Sequence, residues 1–160
     1  MNYKTKELPS KITKTNSLPA LTAGIENQGL NNYVPREGAT ILKNVISISA
    51  NGANTGATFY QSHEFTVLQD SYAIKWKSKE ILTDNQYLFL TICIRKTIYG
   101  NYSWTNKAGW ERIKSEIIRL PIKHDGKIDF DFMESFIAEL EAERVAELEA
   151  YLKVCGFVKK

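Results

Sequence analysis

The sequence contains few of the residues on which catalytic and metal sites depend. It has two cysteines and two histidines in 160 residues. Cys93 and Cys155 match no metal-binding or redox spacing, and neither His63 nor His124 belongs to a Cys/His or Glu-x-x-His arrangement. The glycine-containing segment 52–56 is not a P-loop, because no lysine follows its last glycine. These absences predict that the chain is not an enzyme and carries no cofactor or metal.

Long apolar runs are also missing. No stretch approaches the ~18–20 uninterrupted apolar residues of a membrane span. Residues 1–10 lack the apolar centre of a signal peptide. With so little cysteine, these features predict a reduced, cytoplasmic protein.

The charge that is present divides the chain into two parts. Apolar residues make up 43% and charged residues 24%, as in ordinary globular proteins. Residues 1–124 hold sixteen Lys or Arg against nine Asp or Glu, whereas residues 125–160 hold five against nine, so net charges of +7 and −4 give the total of +3. A basic part rich in amides and aromatic residues suits DNA, and an acidic helix suits a protein partner. We therefore predict a DNA-recognition domain at 1–124 and a dimerisation or docking helix at 125–160.

Hydrophobic patterns predict an α+β fold with a mixed or antiparallel sheet, short helices and a long C-terminal helix. β-branched and aliphatic residues predict strands at 18–22, 41–49, 57–61, 65–68, 72–76 and 117–122. Residues 82–98 fit both strand alternation and helical spacing. Their length and a possible cap at Thr83 or Asp84 favour a helix. A short helix is predicted at 110–115, and a long one from a cap at Asp129 or Asp131 to about Cys155.

Three loops carry the side chains that suit DNA. Asn and Gln can pair with adenine and Arg with guanine, while Lys, Tyr and Trp suit phosphate and sugar. Ordinary turn chemistry, a tight connection between strands and aromatic closure of the core are the structural alternatives for the three loops. The candidate contacts are Asn27, Gln28, Asn31, Asn32, Tyr33 and Arg36 in the first; Asn51, Asn54 and Thr55 in the second; and Arg95, Lys96, Tyr102, Trp104, Asn106 and Lys107 around the third.

Two basic runs suit either the DNA backbone or a solvated surface. The alternation of one run predicts that its lysines share a face of a strand. The runs comprise Lys4, Lys6, Lys11 and Lys14, and Lys75, Lys77 and Lys79.

The terminal helix carries an apolar stripe whose second half has little of its own chain to pack against. A partner helix would cover it, and an arginine within the stripe could meet a glutamate across an antiparallel pair. The alternative is a helix folded entirely onto its own domain. The predicted interface residues are Leu140, Arg144, Leu148, Tyr151 and Leu152.

An ordered series of segments resembles a known family. Residues 46–74 (ISISANGANTGATFYQSHEFTVLQDSYAI), 106–121 (NKAGWERIKSEIIRLP) and 128–151 (IDFDFMESFIAELEAERVAELEAY), together with 18–34, resemble the target-recognition domain of type I restriction–modification specificity subunits. The recognition domains of fused restriction–methylation enzymes are similar. The resemblance covers most of the chain.

The resemblance implies a partner and an assembly. Specificity subunits of this family usually hold two recognition domains, each followed by a long helix, and the two helices pack antiparallel. One domain with one helix is then a half-subunit, and a homodimer would read a palindromic split site in double-stranded DNA. The modification methyltransferase would be a further chain that binds S-adenosylmethionine.

The chain has neither of two sequences associated with reactions on DNA. Asp70 is followed by no Glu-x-Lys of a nuclease, and no Asn/Asp-Pro-Pro-Tyr/Phe of an adenine methyltransferase occurs. An alternative function remains open at this point. The chain could pair with a full specificity subunit through its helix and alter assembly without reading DNA.

Overall fold

The computed structural model describes residues 5–78 and 80–157. The chain forms two compact units, Met1–Arg119 and Leu120–Lys160. In chain order the strands are β1 (Leu18–Leu21), β2 (Leu30–Val34), β3 (Val45–Ser49), β4 (Thr58–Gln61), β5 (Thr66–Val67) and β6 (Ser71–Ile74), and the helices are α1 (Asp84–Ile98), α2 (Trp110–Ile113) and α3 (Phe130–Val154). The predicted α+β class with a long C-terminal helix is confirmed.

Two three-stranded sheets lie in the first unit. In one, β1 pairs antiparallel with β2 and parallel with β5. In the other, β3 is central and pairs antiparallel with β4 and β6. The connection from β5 to β6 ties the sheets together, because Leu21 O accepts hydrogen bonds from Leu68 N at 2.7 Å and Ser71 Oγ at 3.0 Å. The loops at the ends of these strands are therefore fixed by both sheets.

The strands form where apolar side chains can be buried. All five residues of β3 are buried, as expected for a central strand covered on both faces. One apolar cluster contains Leu18, Ala20, Val34 and Leu68, and a second contains Leu21, Val45 and Phe65. Packing in these two clusters stabilises the strands that the loops connect.

Several predicted strand boundaries shift, and one predicted strand does not form. The strand predicted at 41–49 begins at Val45, because Asn44 has a left-handed φ of 53°. β6 ends at Ile74 rather than at residue 76. The strand predicted at 117–122 is wrong: Ile117 is 84% exposed, and only an isolated bridge joins Ile122 to Ile128.

Helix α1 settles the ambiguity over residues 82–98 in favour of a helix. Thr83 is its N-cap and forms a capping box, in which Gln86 N donates to Thr83 Oγ1 at 3.2 Å and Thr83 N donates to Gln86 Oε1 at 3.1 Å. Tyr87 stacks on Tyr60 of β4 with ring centroids 5.1 Å apart, and Asp84 accepts from the Tyr60 hydroxyl at 2.6 Å. Burial and this hydrogen bond raise the Tyr60 pKa. The cap therefore fixes where α1 begins, and the contacts with Tyr60 hold its first turns against β4.

We expect Thr83→Ala to lower the free energy of unfolding by about 1 kcal/mol, because the helix-end N–H of Gln86 loses its acceptor. Denaturant unfolding measures this change. Thr83→Ser keeps a hydroxyl at the cap and should retain most of the stability. Equal stability of the alanine and serine variants would contradict the role of the cap.

Helix α3 begins at the predicted position and is capped by Asp129, whose Oδ1 accepts from Phe132 N at 3.0 Å. Asp131, the other cap candidate, instead accepts from Lys123 Nζ at 2.6 Å. Met133 and Ile137 are the buried residues of α3. Gly156 follows with a φ of 75°, as is common after a helix. Among the described residues, no helix is long and apolar enough to cross a membrane.

Candidate nucleic-acid interface

Three loops of the first unit are connected by a hydrogen bond and a shared groove. Thr55 Oγ1 accepts from Ala108 N at 2.9 Å, which joins segment 51–56 to segment 99–109. Asn54 lines an open groove of about 520 Å³ together with residues of segment 22–31. The three predicted loops, 27–32, 51–56 and 99–107, are therefore brought to one connected surface.

Segment 51–56 is held mainly by internal hydrogen bonds. Asn51 Nδ2 donates to Asp70 Oδ1 at 2.8 Å, and Asn51 Oδ1 accepts from Gly52 N at 2.9 Å. Thr55 is 2% exposed. A direct DNA contact by Thr55 is therefore excluded in this conformation, and Asn54 is the polar residue of this segment that faces the groove.

Gly56 seats segment 51–56 against the end of α1. Its φ is 85°, and a Cβ there would lie 3.0 Å from Ile98 O and 3.3 Å from the Cα of Tyr99. Only glycine fits both this backbone conformation and this close approach. Segment 51–56 is consequently packed against the C-terminal end of α1, which carries Arg95 and Lys96.

Segment 26–29 is a turn with three consecutive left-handed residues. Asn27 has φ 46° and ψ 37°, Gln28 has φ 57° and ψ 29°, and Gly29 has φ 87°. The side chains of Asn27 and Gln28 are exposed. Their amides form no hydrogen bond with any residue in the described part of the chain. Both amides are available to a ligand.

The strand after this turn uses its polar residues internally. Asn32 is 5% exposed; its Nδ2 donates to Leu8 O at 2.9 Å and its Oδ1 accepts from Asn31 Nδ2 at 2.6 Å. Burial removes Asn32 from the candidate DNA contacts. Tyr33 is half-buried, and Arg36 pairs with Glu64 at 2.7 Å, which lowers the Glu64 pKa. Arg36 is thus already partly neutralised.

Cations without acidic partners lie around the end of α1 and in the third loop. The guanidinium carbon of Arg95 is 5.0 Å from the Tyr99 ring centroid and 5.8 Å from that of Phe59. Lys107 Nζ lies 6.0 Å from the centroid of Trp104, which is 65% exposed. In the described residues neither cation forms a salt bridge. Lys96 is exposed beside them.

Other polar groups of the third loop bond to the chain that follows it. The Tyr102 hydroxyl donates to Glu116 Oε1 at 2.6 Å, which raises the Tyr102 pKa. Asn106 Oδ1 accepts from Arg112 Nη1 at 2.5 Å. These two candidates therefore position the loop, and Trp104 and Lys107 are its most accessible candidates.

The prediction from sequence missed two residues of this surface. Trp110 is 50% exposed and lines a depression of about 370 Å³ with Lys107 and Arg112. Both residues, Trp110 and Arg112, fall in the segment that the sequence predicts as a short helix. An aromatic and an arginine two residues apart, directly after a basic aromatic loop, were the available signal.

The lysine runs do not form a strand face. Lys75 and Lys77 are exposed but follow the end of β6 at Ile74. Lys4 and Lys79 lie outside the described residues. Residues 8–10, between Lys6 and Lys11, do contact the first loop and its strand: Leu8 O accepts from Asn32 Nδ2, and Ser10 lines the groove.

The second half of α3 exposes apolar side chains. Leu148 is 57% exposed, Tyr151 64% and Leu140 37%, while Leu152 is half-buried. Arg144 pairs with Glu147 of the same helix at 2.6 Å. For Arg144 to pair with a glutamate of a partner helix, as the sequence suggests, it must first release Glu147.

Comparison with known proteins identifies the family. The family model of the type I restriction modification DNA specificity domain matches residues 1–150. The specificity subunit S.BcgI of a type II restriction enzyme from Heyndrickxia coagulans is 28% identical over 144 residues, which cover 86% of this chain and 40% of that protein. The crystal structure of a type I restriction–modification S subunit from M. genitalium matches 96% of this chain and 38% of its own, with 21% identity and a TM-score of 0.48. The chain thus spans about two fifths of the length of these relatives, and it belongs to the family of type I restriction modification DNA specificity domains, which supply specificity and not catalysis.

Proposed function

We propose that the chain reads a specific sequence in double-stranded DNA through the connected surface of its three loops and directs a modification methyltransferase subunit to that site. The observation that carries the proposal is the joining of these loops by Thr55, Gly56 and the groove at Asn54. Preorganised loops on a rigid framework hold contacting groups in register. Membership in a DNA specificity family supports the same function.

In this proposal Arg95, Lys96 and Lys107 contact the phosphates. The rings below Arg95 and Lys107 orient these cations through cation–π attraction of about 0.5–1 kcal/mol at exposed sites. An aromatic ring carries no net charge, so it does not neutralise the cation as a carboxylate would. The surface therefore offers positioned cations that are not neutralised by carboxylates.

In this proposal exposed side-chain amides contact the bases. Hydrogen bonds to phosphate position a protein on the duplex, whereas hydrogen bonds to base edges in the major groove carry sequence information. Asn27, Gln28 and Asn54 are the amides at the groove or its rim that the internal hydrogen bonds leave accessible. These three residues are the proposed readers of the target.

We expect Lys107→Ala to weaken binding to all DNA sequences alike and to reduce the salt dependence of binding. Each phosphate contact contributes about 0.9 to the slope of log K against log salt, so loss of one should lower that slope by about one. Fluorescence anisotropy at several salt concentrations, with the methyltransferase subunit present, measures both effects.

Arg36→Ala is the matched control for Lys107→Ala. It also removes one positive charge, but this charge already faces Glu64 at 2.7 Å. The slope should stay near that of the parent. If the two variants change the slope equally, the phosphate contact does not lie at Lys107.

A partner for α3 completes the proposal. The apolar side chains exposed at Leu148 and Tyr151 suit a second helix of the same kind. Two copies joined in this way would present two recognition surfaces and read a palindromic split site. The methyltransferase subunit would be recruited by the resulting pair.

The same exposed helix favours a second candidate, an interaction module that pairs with a full specificity subunit. Selection from a random DNA pool, by the chain alone and with the methyltransferase subunit, separates the two. Enrichment of a bipartite sequence by the complex supports recognition. Association that depends on the helix, without enrichment by the complex, supports the module.

A further inference from the structure

We infer that the turn at Asn27 and Gln28 selects adenine in the target through the major groove. This inference rests on the proposed function and narrows it to the base that one element of the surface reads. Asn27 and Gln28 are consecutive exposed amides in one turn, and Asn27 lines the groove.

The backbone of this turn is strained and held in place. Left-handed φ values are uncommon for residues other than glycine, and two in succession persist only where the surroundings impose them. Thr22 N donates to Gly29 O at 3.0 Å, and Gln61 Nε2 donates to Gln28 O at 3.4 Å. A Cβ on Gly29 would lie 2.9 Å from Thr22 O. The side chains of Asn27 and Gln28 therefore project from a backbone whose conformation is fixed.

Two nearby amides, those of Asn31 and Asn51, are hydrogen-bonded within the described part of the chain, whereas those of the turn are not. Asn31 donates to Asn32, and Asn51 donates to Asp70. The side chains of Asn27 and Gln28 have no such partner among the described residues. Forming a contact with DNA would therefore break no hydrogen bond of these two amides within that part of the chain.

The chemistry of the turn matches adenine better than guanine or phosphate. An amide presents one donor and one acceptor, and adenine presents the N7 acceptor beside the N6 donor. Guanine presents two acceptors, N7 and O6, which suit an arginine. The exposed carboxylate of Glu26 adjoins the turn and would repel a phosphate. These groups direct the turn to a base edge.

The test is a double variant, Asn27→Gly with Gln28→Gly. Glycine accepts the left-handed conformation without strain, so both amides are removed while the turn is retained. The full chain, with the methyltransferase subunit, first selects its site from a random DNA pool. The variant should then discriminate less at an A·T position, by about 5- to 150-fold, with the other positions and the salt slope unchanged.

Asn44→Gly is the matched control. Asn44 is another exposed asparagine with a left-handed φ, 53°, but it precedes β3 and lies outside the turn. This variant should select the same site as the parent. Thermal unfolding of all three proteins should show that the double glycine variant remains folded.

A base analogue tests the contact from the side of the DNA. Replacing the selected adenine by 7-deaza-adenine removes the N7 acceptor, and the parent should lose about fivefold in affinity. The double glycine variant should lose nothing further on this DNA.

The outcomes separate this inference from the function on which it rests. If the parent complex enriches no sequence, the proposed function fails. If it enriches a sequence that the double glycine variant reads equally well, or one without an A·T position, only the inference about the turn is overturned.

Discussion

Leu148→Glu combined with Leu152→Glu is expected to convert the proposed dimer of this chain into a soluble monomer with lower affinity for the proposed split site. Leu148 is 57% exposed, and residues 141–150 of α3 are all exposed. Glutamate is a good helix former, so the substitutions should leave the helix intact. Light scattering gives the mass, and anisotropy with a two-half-site duplex gives the affinity.

The magnitude follows from the burial of leucine. Burying one leucine side chain contributes about 1.5–3 kcal/mol. Leu148 and Leu152 are already partly buried in the single chain, so a symmetric pair of helices gains only a fraction of this value for each of four side chains. Their loss is still a large share of the about 8 kcal/mol of a micromolar dimer. Four carboxylates facing one another would add repulsion.

Ala146→Glu combined with Ala150→Glu is the matched control for the dimer. It adds the same charge to the same exposed helix, about half a turn away from the apolar stripe. This variant should keep the dimer mass. A monomeric parent, or an unchanged mass for the double leucine variant, would contradict pairing through this stripe.

Gly56→Ala is expected to destabilise the first unit by about 2–4 kcal/mol and to reduce DNA binding with it. The added methyl group would meet three backbone atoms, at 3.0 and 3.2 Å for Ile98 O and C and at 3.3 Å for Tyr99 Cα. Because these are backbone atoms, the helix end or the loop must move, at about 1–3 kcal/mol for overpacking. The left-handed φ of 85° adds about 1 kcal/mol. Denaturant unfolding and DNA binding are the two measurements.

Gly52→Ala distinguishes the cost of a left-handed alanine from the cost of the steric clash with α1. Gly52 also has a left-handed φ, 78°, but a Cβ there meets no atom within 4 Å. It should cost only the strain, about 1 kcal/mol, and keep most of the DNA affinity. Equal destabilisation by the two alanines would show that the contact with α1 is unimportant.

Local signals in the sequence predicted the elements that depend on local interactions. The possible cap at Thr83 or Asp84 and the length of the segment predicted α1, although Leu88, Leu90 and Ile92 alternate like a strand. Asp129 capped α3 as predicted. The strand predicted at 117–122 failed because an apolar pattern forms a strand only where a partner strand is present, and Ile122 finds only Ile128.

The surface was predictable as three loops but not residue by residue. Asn32 and Thr55 are ordinary polar loop residues in the sequence, and their burial depends on partners 24 and 53 residues away, Leu8 and Ala108. No local pattern indicates such distant hydrogen bonds. Trp110 and Arg112 were missed for the converse reason, since a helix assignment does not reveal which face stays open.

The hydrogen bond from the Ala108 amide to Thr55 also limits how a protein of this kind can acquire a new target. Ala108 is fully buried, so transplanting segment 51–56 from a relative without a hydroxyl at position 55 would leave its N–H unsatisfied. The penalty is about 1–3 kcal/mol, a large share of the stability of a small domain. Engineering a different specificity therefore requires exchanging both segments as one cassette.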